Sequence, residues 1–181
     1  MIKMNMKTKA SFETKRLFLR PTSEEDAPFI FELMNSPKWI KYIGDRHIVT
    51  IEDAKTYIID KMKPQQERLG FSNYTILRRS DKMKLGTCGL YDREGLEGID
   101  IGFAFLSKFE KMGYAFEAAT RLKIAAFEEF DIQVIKAITT KNNIASQKLL
   151  EKLGLSQVGT KILPNDAEEL LVYAIDKTDA D

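Results

Sequence analysis

The most informative place in the sequence is the passage from a predicted strand at residues 99–106 into a predicted helix at residues 112–130, where main-chain groups could bind an anion. The first N–H groups of a helix have no partner within the helix, and the helix dipole adds partial positive charge there. Gly113 would let a diphosphate approach these groups closely, and Lys108 and Lys111 add positive charge nearby. These residue types in this order predict an anion-binding helix N-terminus.

One glycine in a strand–loop–helix connection does not by itself identify the ligand, because such connections are common. The loop matches neither the P-loop pattern nor the dinucleotide-binding fingerprint, both of which need particular residues at fixed spacing. A nucleotide-binding or phosphate-binding α/β domain is therefore one alternative for this chain.

The strand before this helix also carries the main candidate for a general base. Its apolar alternation places Asp100 on the side opposite the aliphatic and aromatic stripe. Asp92 and Glu97, in or beside the preceding turn, are weaker candidates. The alternative is that Asp100 pairs with a neighbouring side chain and has no role in proton transfer.

The composition is that of an ordinary globular protein and argues against several classes. Of 181 residues, 44% are hydrophobic and 30% charged, and the net charge of +1 indicates no broad nucleic-acid surface. The single cysteine, Cys88, lies in an apolar stretch, which favours a core residue in a reducing compartment. The sequence contains no Cys/His cluster of the kind that would predict a metal site. No signal peptide or membrane span is recognisable, so we expect a cytoplasmic protein.

The predicted elements follow the order strand, two helices, three strands, helix, strand, helix and two strands. Meandering strands followed by βαβ units predict an α/β (α+β) fold, a mixed central sheet of about seven strands with helices on both faces. The length predicts one domain over residues 11–181 after a flexible tail at residues 1–10. Residues 38–49 show no regular pattern, and a helix is expected to begin at Thr50, with Asp53 in a weak capping pattern.

Three segments in this order and spacing resemble the GNAT superfamily, and within it the branch typified by ribosomal-protein N-terminal acetyltransferases (RimJ/RimL-like). They are E-T-K-R-L-F-L-R-P-T-S-E-E-D-A (13–27), I-G-F-A-F-L…G-Y-A-F-E-A (101–118) and N-x-x-S-x-K-L-L-E-K-L-G-L (143–155). The resemblance covers roughly residues 12–175. It implies a GNAT fold and an enzyme that transfers an acetyl group from acetyl-CoA to a primary amine, either a peptide or protein N-terminus or a small amine.

The resemblance also implies where acetyl-CoA would lie, between the third central strand and the strand that begins near Val134. The pantetheine arm would follow the strand edge, the diphosphate would meet the helix N-terminus, and a strand N–H near Phe105 would polarise the thioester carbonyl. The amine would attack directly, without an acyl-enzyme. The implied cofactor-binding residues are Phe103, Ala104, Phe105, Leu106, Lys108, Lys111, Met112, Gly113, Tyr114, Ala115, Asn143 and Ser146.

Two positions depart from the family's pattern. Lys108 stands at the Gln/Arg position of the acetyl-CoA motif Gln/Arg-x-x-Gly-x-Gly/Ala, but Lys111 replaces its first glycine. Leu150 stands where many relatives have the tyrosine that protonates the leaving thiolate, so Ser146 becomes the candidate acid. Ser146 could instead only bond at the start of its helix, and Asn143 could cap that helix, bind the pantetheine amide, or do both.

The acceptor is not specified by these motifs. In the family, the region between the first two helices helps wall the acceptor site, so Trp39, Tyr42 and His47 are the candidate substrate-binding residues. A solvated loop histidine is the alternative for His47. We expect no nucleic-acid or membrane partner, and the oligomeric state stays open, a homodimer included. Lys111 and Leu150 would also fit a CoA-binding sensor or regulatory module without turnover.

Overall fold

A mixed β-sheet forms the framework of residues 10–180, the part of the chain that the computed structural model describes; most of the predicted tail, residues 1–9, lies outside it. The strand order is β1-β2-β3-β4-β5-β6-β8-β7, and among the strands of residues 10–180 only the β5–β6 pair is parallel. The strands are β1 (Phe12–Glu13), β2 (Leu17–Pro21), β3 (Asn73–Arg78), β4 (Lys84–Asp92), β5 (Ile99–Phe105), β6 (Val134–Thr139), β7 (Ser156–Ile162) and β8 (Glu169–Asp176).

Six α-helices accompany the sheet within the same residues. They are α1 (Ala27–Met34), α2 (Pro37–Tyr42), α3 (Ile51–Tyr57), α4 (Lys63–Leu69), α5 (Tyr114–Glu128) and α6 (Ile144–Lys152). The predicted start at Thr50 is confirmed, because its hydroxyl accepts from the Asp53 N–H while the Asp53 carboxylate accepts from the Thr50 N–H. A π-helical turn, Ile58–Met62, joins α3 to α4, just before Pro64, which has no N–H to donate to an α-helical bond.

The structure confirms the mixed sheet and differs from the expected elements in two details. The sheet has eight strands where about seven were expected, because the two-residue β1 is too short to show a periodic pattern. The stretch 38–49 was expected to be irregular, yet α2 occupies its first part. Pro37 starts α2, since the first position of a helix needs no N–H and suits the fixed φ of proline.

Helices cover both faces of the sheet. On one face, α5 approaches closely through small residues, and Ala118, Ala119 and Leu122 are fully buried. On the other face, α1 and α3 pack against each other. Thr75 of β3 points to this second face, where its hydroxyl donates to Asp26 at the start of α1 at 3.0 Å.

Asp26 anchors α1 to the sheet although its side chain is fully buried. Arg20 donates two bonds to its carboxylate, at 2.7 and 2.8 Å, and the Lys84 ammonium lies at 2.7 Å. Thr75 and the Ser23 N–H donate the remaining bonds. Burial opposes ionisation, but these donors outweigh it and lower the pKa of Asp26 to about 2. Charge-assisted bonds therefore hold the start of α1 to the sheet.

Strands β5 and β6 diverge, and this divergence creates the main cleft. They pair only through Ile99 and Asp100 of β5. Beyond these residues β5 stays in register with β4 as far as Phe105, while β6 continues beside β8 to Thr139. The sheet therefore opens as a V, and the β6-facing edge of β5 has no strand beside it from residue 101 onward.

Candidate active site

A cleft of about 1130 Å³ occupies the V between β5 and β6. The open edge of β5, the N-terminal ends of α5 and α6, helix α2 and the β7–β8 loop form its walls. Most of the site residues predicted from the sequence line this one cleft, namely Trp39, Tyr42, Asp100, Phe103, Ala104, Phe105, Lys111, Gly113, Tyr114, Ala115, Asn143 and Ser146.

The open edge of β5 presents main-chain donors to the cleft. The Leu106 N–H donates to the Leu85 carbonyl at 3.0 Å, on the β4 side. Residues of an antiparallel strand alternate between bonding to that neighbour and pointing away from it. The N–H groups of Phe103 and Phe105 therefore point toward the gap that β6 leaves. Leu106, also predicted to bind the cofactor, is buried and uses its N–H within the sheet.

The N-terminal end of α5 presents a second set of free donors. Gly113 begins the helix with φ of 81°, a left-handed conformation that suits glycine. Its carbonyl accepts the Glu117 N–H at 3.1 Å. Within residues 10–180, no protein group accepts from the N–H groups of Tyr114, Ala115 and Phe116. These donors, together with the helix dipole, form a site for a phosphate-like anion.

Lys111, which replaces the first glycine of the motif, has a left-handed backbone conformation of the kind that suits glycine. Its φ is 60°, in the left-handed region, which costs a residue with a Cβ about 1–2 kcal/mol. Lys111 is exposed and lines the cleft. The lysine therefore adds a cation to the loop at a moderate cost in backbone strain.

Lys108 and Met112, also predicted to bind the cofactor, lie outside the residues that line the cleft. The Lys108 ammonium lies 4.0 Å from Glu32 and 5.3 Å from the Phe109 ring centre. Met112 is half exposed, and its carbonyl accepts from Arg16 at 3.0 Å. Both residues flank the anion site and do not form its wall.

The start of α6 brings Asn143 and Ser146 to the opposite side of the cleft. The Asn143 side-chain oxygen accepts the Ser146 N–H at 3.2 Å, so the expected helix cap is present. Ser146 is half-buried and lines the cleft. Leu150, at the position where relatives have a tyrosine, is buried and also lines it. The hydroxyl of Ser146 is thus the one that α6 itself supplies to this wall.

Asp100 lies in the cleft with only 1% of its surface exposed. Arg93 donates to both carboxylate oxygens, Nε to Oδ1 and Nη2 to Oδ2, each at 3.2 Å. Burial raises the pKa of Asp100, and the Arg93 guanidinium partly opposes the rise. Asp100 therefore has the neighbouring partner that one alternative expected, and it also lines the cleft; its role as a base stays a prediction.

The two weaker base candidates are placed less well. Asp92 borders the cleft, but its carboxylate accepts from Arg68 at 2.7 Å. Glu97 is exposed and does not line the cleft. Cys88 is fully buried, and burial raises the pKa of its thiol to about 12. A thiol with that pKa carries almost no thiolate at neutral pH, so Cys88 is a core residue.

Sequence reasoning missed the polar floor beside Asp100. The Tyr91 ring lies over two glycines, since a Cβ on Gly89 would come within 2.3 Å of its hydroxyl and one on Gly102 within 3.0 Å of the ring. The Tyr91 hydroxyl donates to the Asn73 side-chain oxygen at 2.6 Å. The available signal was a glycine on each of two neighbouring strands, paired opposite one another, with an aromatic residue two positions along.

The predicted acceptor residues are only partly brought together. Trp39 and Tyr42, on α2, line the cleft. His47 does not; its side chain is 88% exposed and lies 3.5 Å from the Asp45 carboxylate. It borders a separate depression of about 270 Å³ beside α3. Trp39 and Tyr42 thus share the cleft with Asp100, and their role in acceptor binding stays a prediction. The exposure of His47 favours the solvated alternative for this residue.

Within residues 10–180, no group of three or more His, Cys, Asp and Glu side chains is arranged to hold a metal ion. In the same part of the chain, none of the helices combines the length and hydropathy that crossing a bilayer requires.

Comparisons with known proteins give the family. Residues 16–156 match the acetyltransferase (GNAT) domain. The chain is 27% identical over 157 residues to the uncharacterized N-acetyltransferase YnaD of Bacillus subtilis (strain 168), covering 86% of this chain and 89% of that protein.

Two solved structures show the same fold. The acetyltransferase (GNAT family) from Bacillus anthracis superposes with a TM-score of 0.77 at 24% identity, covering 93% of this chain and 99% of that one. The ribosomal-protein-S5-alanine acetyltransferase from Vibrio fischeri gives 0.78 at 18% identity, covering 95% and 99%. Since the matching domain spans most of the chain and includes most of the residues that line the cleft, the protein belongs to the acetyltransferase (GNAT) family and is an acyltransferase.

Proposed function

We propose that this protein is an acetyl-CoA-dependent N-acetyltransferase in which a primary amine attacks the thioester directly. One observation carries the proposal: the free edge of β5 and the unpartnered N–H groups of Tyr114, Ala115 and Phe116 border the same cleft. The edge suits a chain with amide groups such as pantetheine, and the helix end suits a diphosphate. Acetyl-CoA, the co-substrate of GNAT acetyltransferases, supplies the acetyl thioester.

The donors of β5 would stabilise the reacting carbonyl. The Phe105 N–H points into the cleft and would donate to the thioester oxygen, where negative charge develops as the amine adds. A fixed main-chain donor needs no rearrangement at that moment. Cys88 is buried with a raised pKa, which supports attack by the amine without an acyl-enzyme.

Asp100 would accept the proton that the amine loses. An α-amino group titrates near ~8 and a lysine near ~10, so an α-amine presents a larger neutral fraction at neutral pH. Burial raises the pKa of Asp100, which makes its carboxylate a stronger base than an exposed one. Arg93 holds both carboxylate oxygens and would fix the orientation of the base.

The start of α6 would assist the departing thiolate. Ser146 lines the cleft there, and its hydroxyl could donate to the sulfur. The dipole of α6 also favours negative charge at this end. Because Leu150 is apolar, Ser146 would take the part that a tyrosine plays in many relatives.

We place the acceptor between Trp39, Tyr42 and the floor formed by Tyr91 and Asp100, all of which line the cleft. The segments that resemble the ribosomal-protein branch support an N-terminal amine of a peptide or protein as the acceptor. A small amine is the second class of acceptor that the cleft would admit.

A CoA-binding sensor without turnover is the second candidate function. The buried Leu150 favours it, because no tyrosine stands at that position to protonate a leaving thiolate. Such a protein would bind CoA through the same N–H groups of α5 and transfer nothing.

The experiment that tests the proposal combines binding with turnover. The purified protein is titrated calorimetrically with CoA and with ATP, then incubated with acetyl-CoA and a panel of N-terminal peptides, polyamines and amino sugars while thiol release is followed. We expect CoA binding and thiol release with at least one amine. Binding without transfer to any amine would support the sensor, and a folded protein that binds ATP in preference to CoA would refute both.

A further inference from the structure

Arg16, which immediately precedes β2, ties together the first turn of α5 and the loop before it. Its Nη1 donates to the Met112 carbonyl at 3.0 Å, and its Nε donates to the Glu117 carboxylate at 2.6 Å. The guanidinium also lies 4.4 Å from the centre of the Tyr114 ring. One side chain, 96 residues earlier in the sequence than Met112, thus contacts residues before, at and after the start of the helix.

The bond to Met112 fixes the direction of the next N–H group. In a trans peptide, the carbonyl oxygen and the following N–H point in opposite directions, and no cis peptide occurs among the described residues. Because Arg16 holds the Met112 oxygen, the Gly113 N–H points away from Arg16. A rotated peptide would instead present a carbonyl oxygen beside the anion site and repel a phosphate.

The charge of Arg16 lies beside the N-terminal end of α5, although Arg16 does not itself line the cleft. A cation near the positive end of a helix dipole is normally unfavourable. Here the Glu117 carboxylate offsets the charge of Arg16. This carboxylate also accepts hydrogen bonds from the Thr14 hydroxyl and the Arg16 N–H, at 2.6 and 2.9 Å. Partial burial opposes ionisation of Glu117, but these bonds outweigh it and lower its pKa. The Arg16 side chain stays 41% exposed, beside the exposed Gly113.

We propose that Arg16 is a positioning residue for the diphosphate of the cofactor. It holds the Met112 carbonyl away from the anion site, so the Gly113 N–H is free to face the anion. This inference rests on the proposed function, because it assigns Arg16 to the same acetyl-CoA site.

The test compares two arginines of similar surroundings. Arg121 pairs with Glu129 at 2.8 Å and lies 4.5 Å from the Phe12 ring centre, but it is remote from the N-terminal end of α5. In R16M we expect the Kd for CoA and for dephospho-CoA, and the KM for acetyl-CoA, to rise about tenfold or more, as loss of charge-assisted bonds implies. The kcat at saturation should stay within about twofold, and R121M should change none of these values.

A truncated donor separates positioning from general damage. S-acetylpantetheine lacks the diphosphate, so R16M and the wild type should use it with the same kcat/KM. R16K keeps the charge but cannot bond Met112 and Glu117 together in the same geometry. Its Kd for CoA should therefore lie between those of the wild type and R16M. If R16K and R16M bind CoA with the Kd of the wild type, Arg16 has no positioning role. The same holds if their kcat/KM falls as much with S-acetylpantetheine as with acetyl-CoA. If the folded wild type fails to bind CoA, the proposed function fails first.

Discussion

At the scale of single residues, two buried aspartates have pKa values shifted in opposite directions. Asp26 accepts from two cations and two further donors, and its pKa falls to about 2. Asp100 has a single guanidinium partner, with both bonds at 3.2 Å, and burial raises its pKa. The number of donors decides whether burial or bonding dominates. Asp26 is therefore a structural anion, while Asp100 is suited to proton exchange.

This contrast predicts that Asp100→Asn abolishes most of the turnover. We expect kcat to fall about 10²-fold or more, because the variant keeps the shape but cannot accept a proton. A base acts in its ionised form, so wild-type activity should decline as the pH falls through the pKa of Asp100, above the ordinary aspartate range. That limb of the pH–rate profile should be missing in the variant, and CoA binding should be retained.

The control for this prediction is Asp92→Asn. Asp92 also borders the cleft, but it is exposed and bonded to Arg68, so its loss should leave kcat within about threefold. A D100N variant with nearly wild-type kcat and an unchanged pH profile would show that the proton goes elsewhere.

At the scale of elements, the sequence predicts what depends on local patterns. The strand β5 and the capping pattern at Thr50 are confirmed, and Gly113 caps the start of α5. The burial of β5 does not alternate as its sequence predicts, because Asp100 and Ile101 are both buried. The features of the site that the sequence does not predict depend on contacts between residues distant in the chain. Arg93 meets Asp100 only because a turn folds β4 onto β5, and nothing in the pattern around Arg16 indicates that it reaches the loop before α5, 96 residues away.

The loop before α5 permits a test on backbone strain. Lys111 and Lys82 both have left-handed φ, 60° and 61°, and only Lys111 lines the cleft. Replacing either lysine by glycine should relieve the strain and, after the entropy cost of glycine, raise the free energy of unfolding by about 0.5–1 kcal/mol. Only K111G should raise the KM for acetyl-CoA, by about two- to fivefold, because only Lys111 adds a cation at the anion site.

Denaturant unfolding measures the first effect, and steady-state kinetics in low and moderate salt measures the second. The rise in KM for K111G should shrink as salt screens the charge. An equal change in KM for K82G and K111G would mean that the charge of Lys111 does not contribute to cofactor binding.

At the scale of the whole molecule, the cleft exists because β5 and β6 are held by different neighbours. β5 follows β4 through seven paired residues, and β6 follows β8 through six. The two strands are themselves joined at only two pairs, so the sheet can diverge without losing its other bonds. Helix α2, which follows α1, forms part of the cleft wall, and the buried bonds of Asp26 hold the start of α1 to the sheet.

Acidification should therefore destabilise the protein through Asp26. Its folded pKa of about 2 lies below the ~3.9 of an unfolded aspartate. The stabilisation, about 2 kcal/mol, is complete above pH ~4 and is lost as the pH falls toward ~2.

Asp26→Asn should cost about 3 kcal/mol of unfolding free energy at neutral pH, because it leaves Arg20 and Lys84 without their anion. Urea unfolding between pH 2 and 6 measures both quantities. D26N should lose less stability on acidification than the wild type, while the exposed D60N should follow the wild type; parallel curves for D26N and the wild type would place the acid-sensitive group elsewhere.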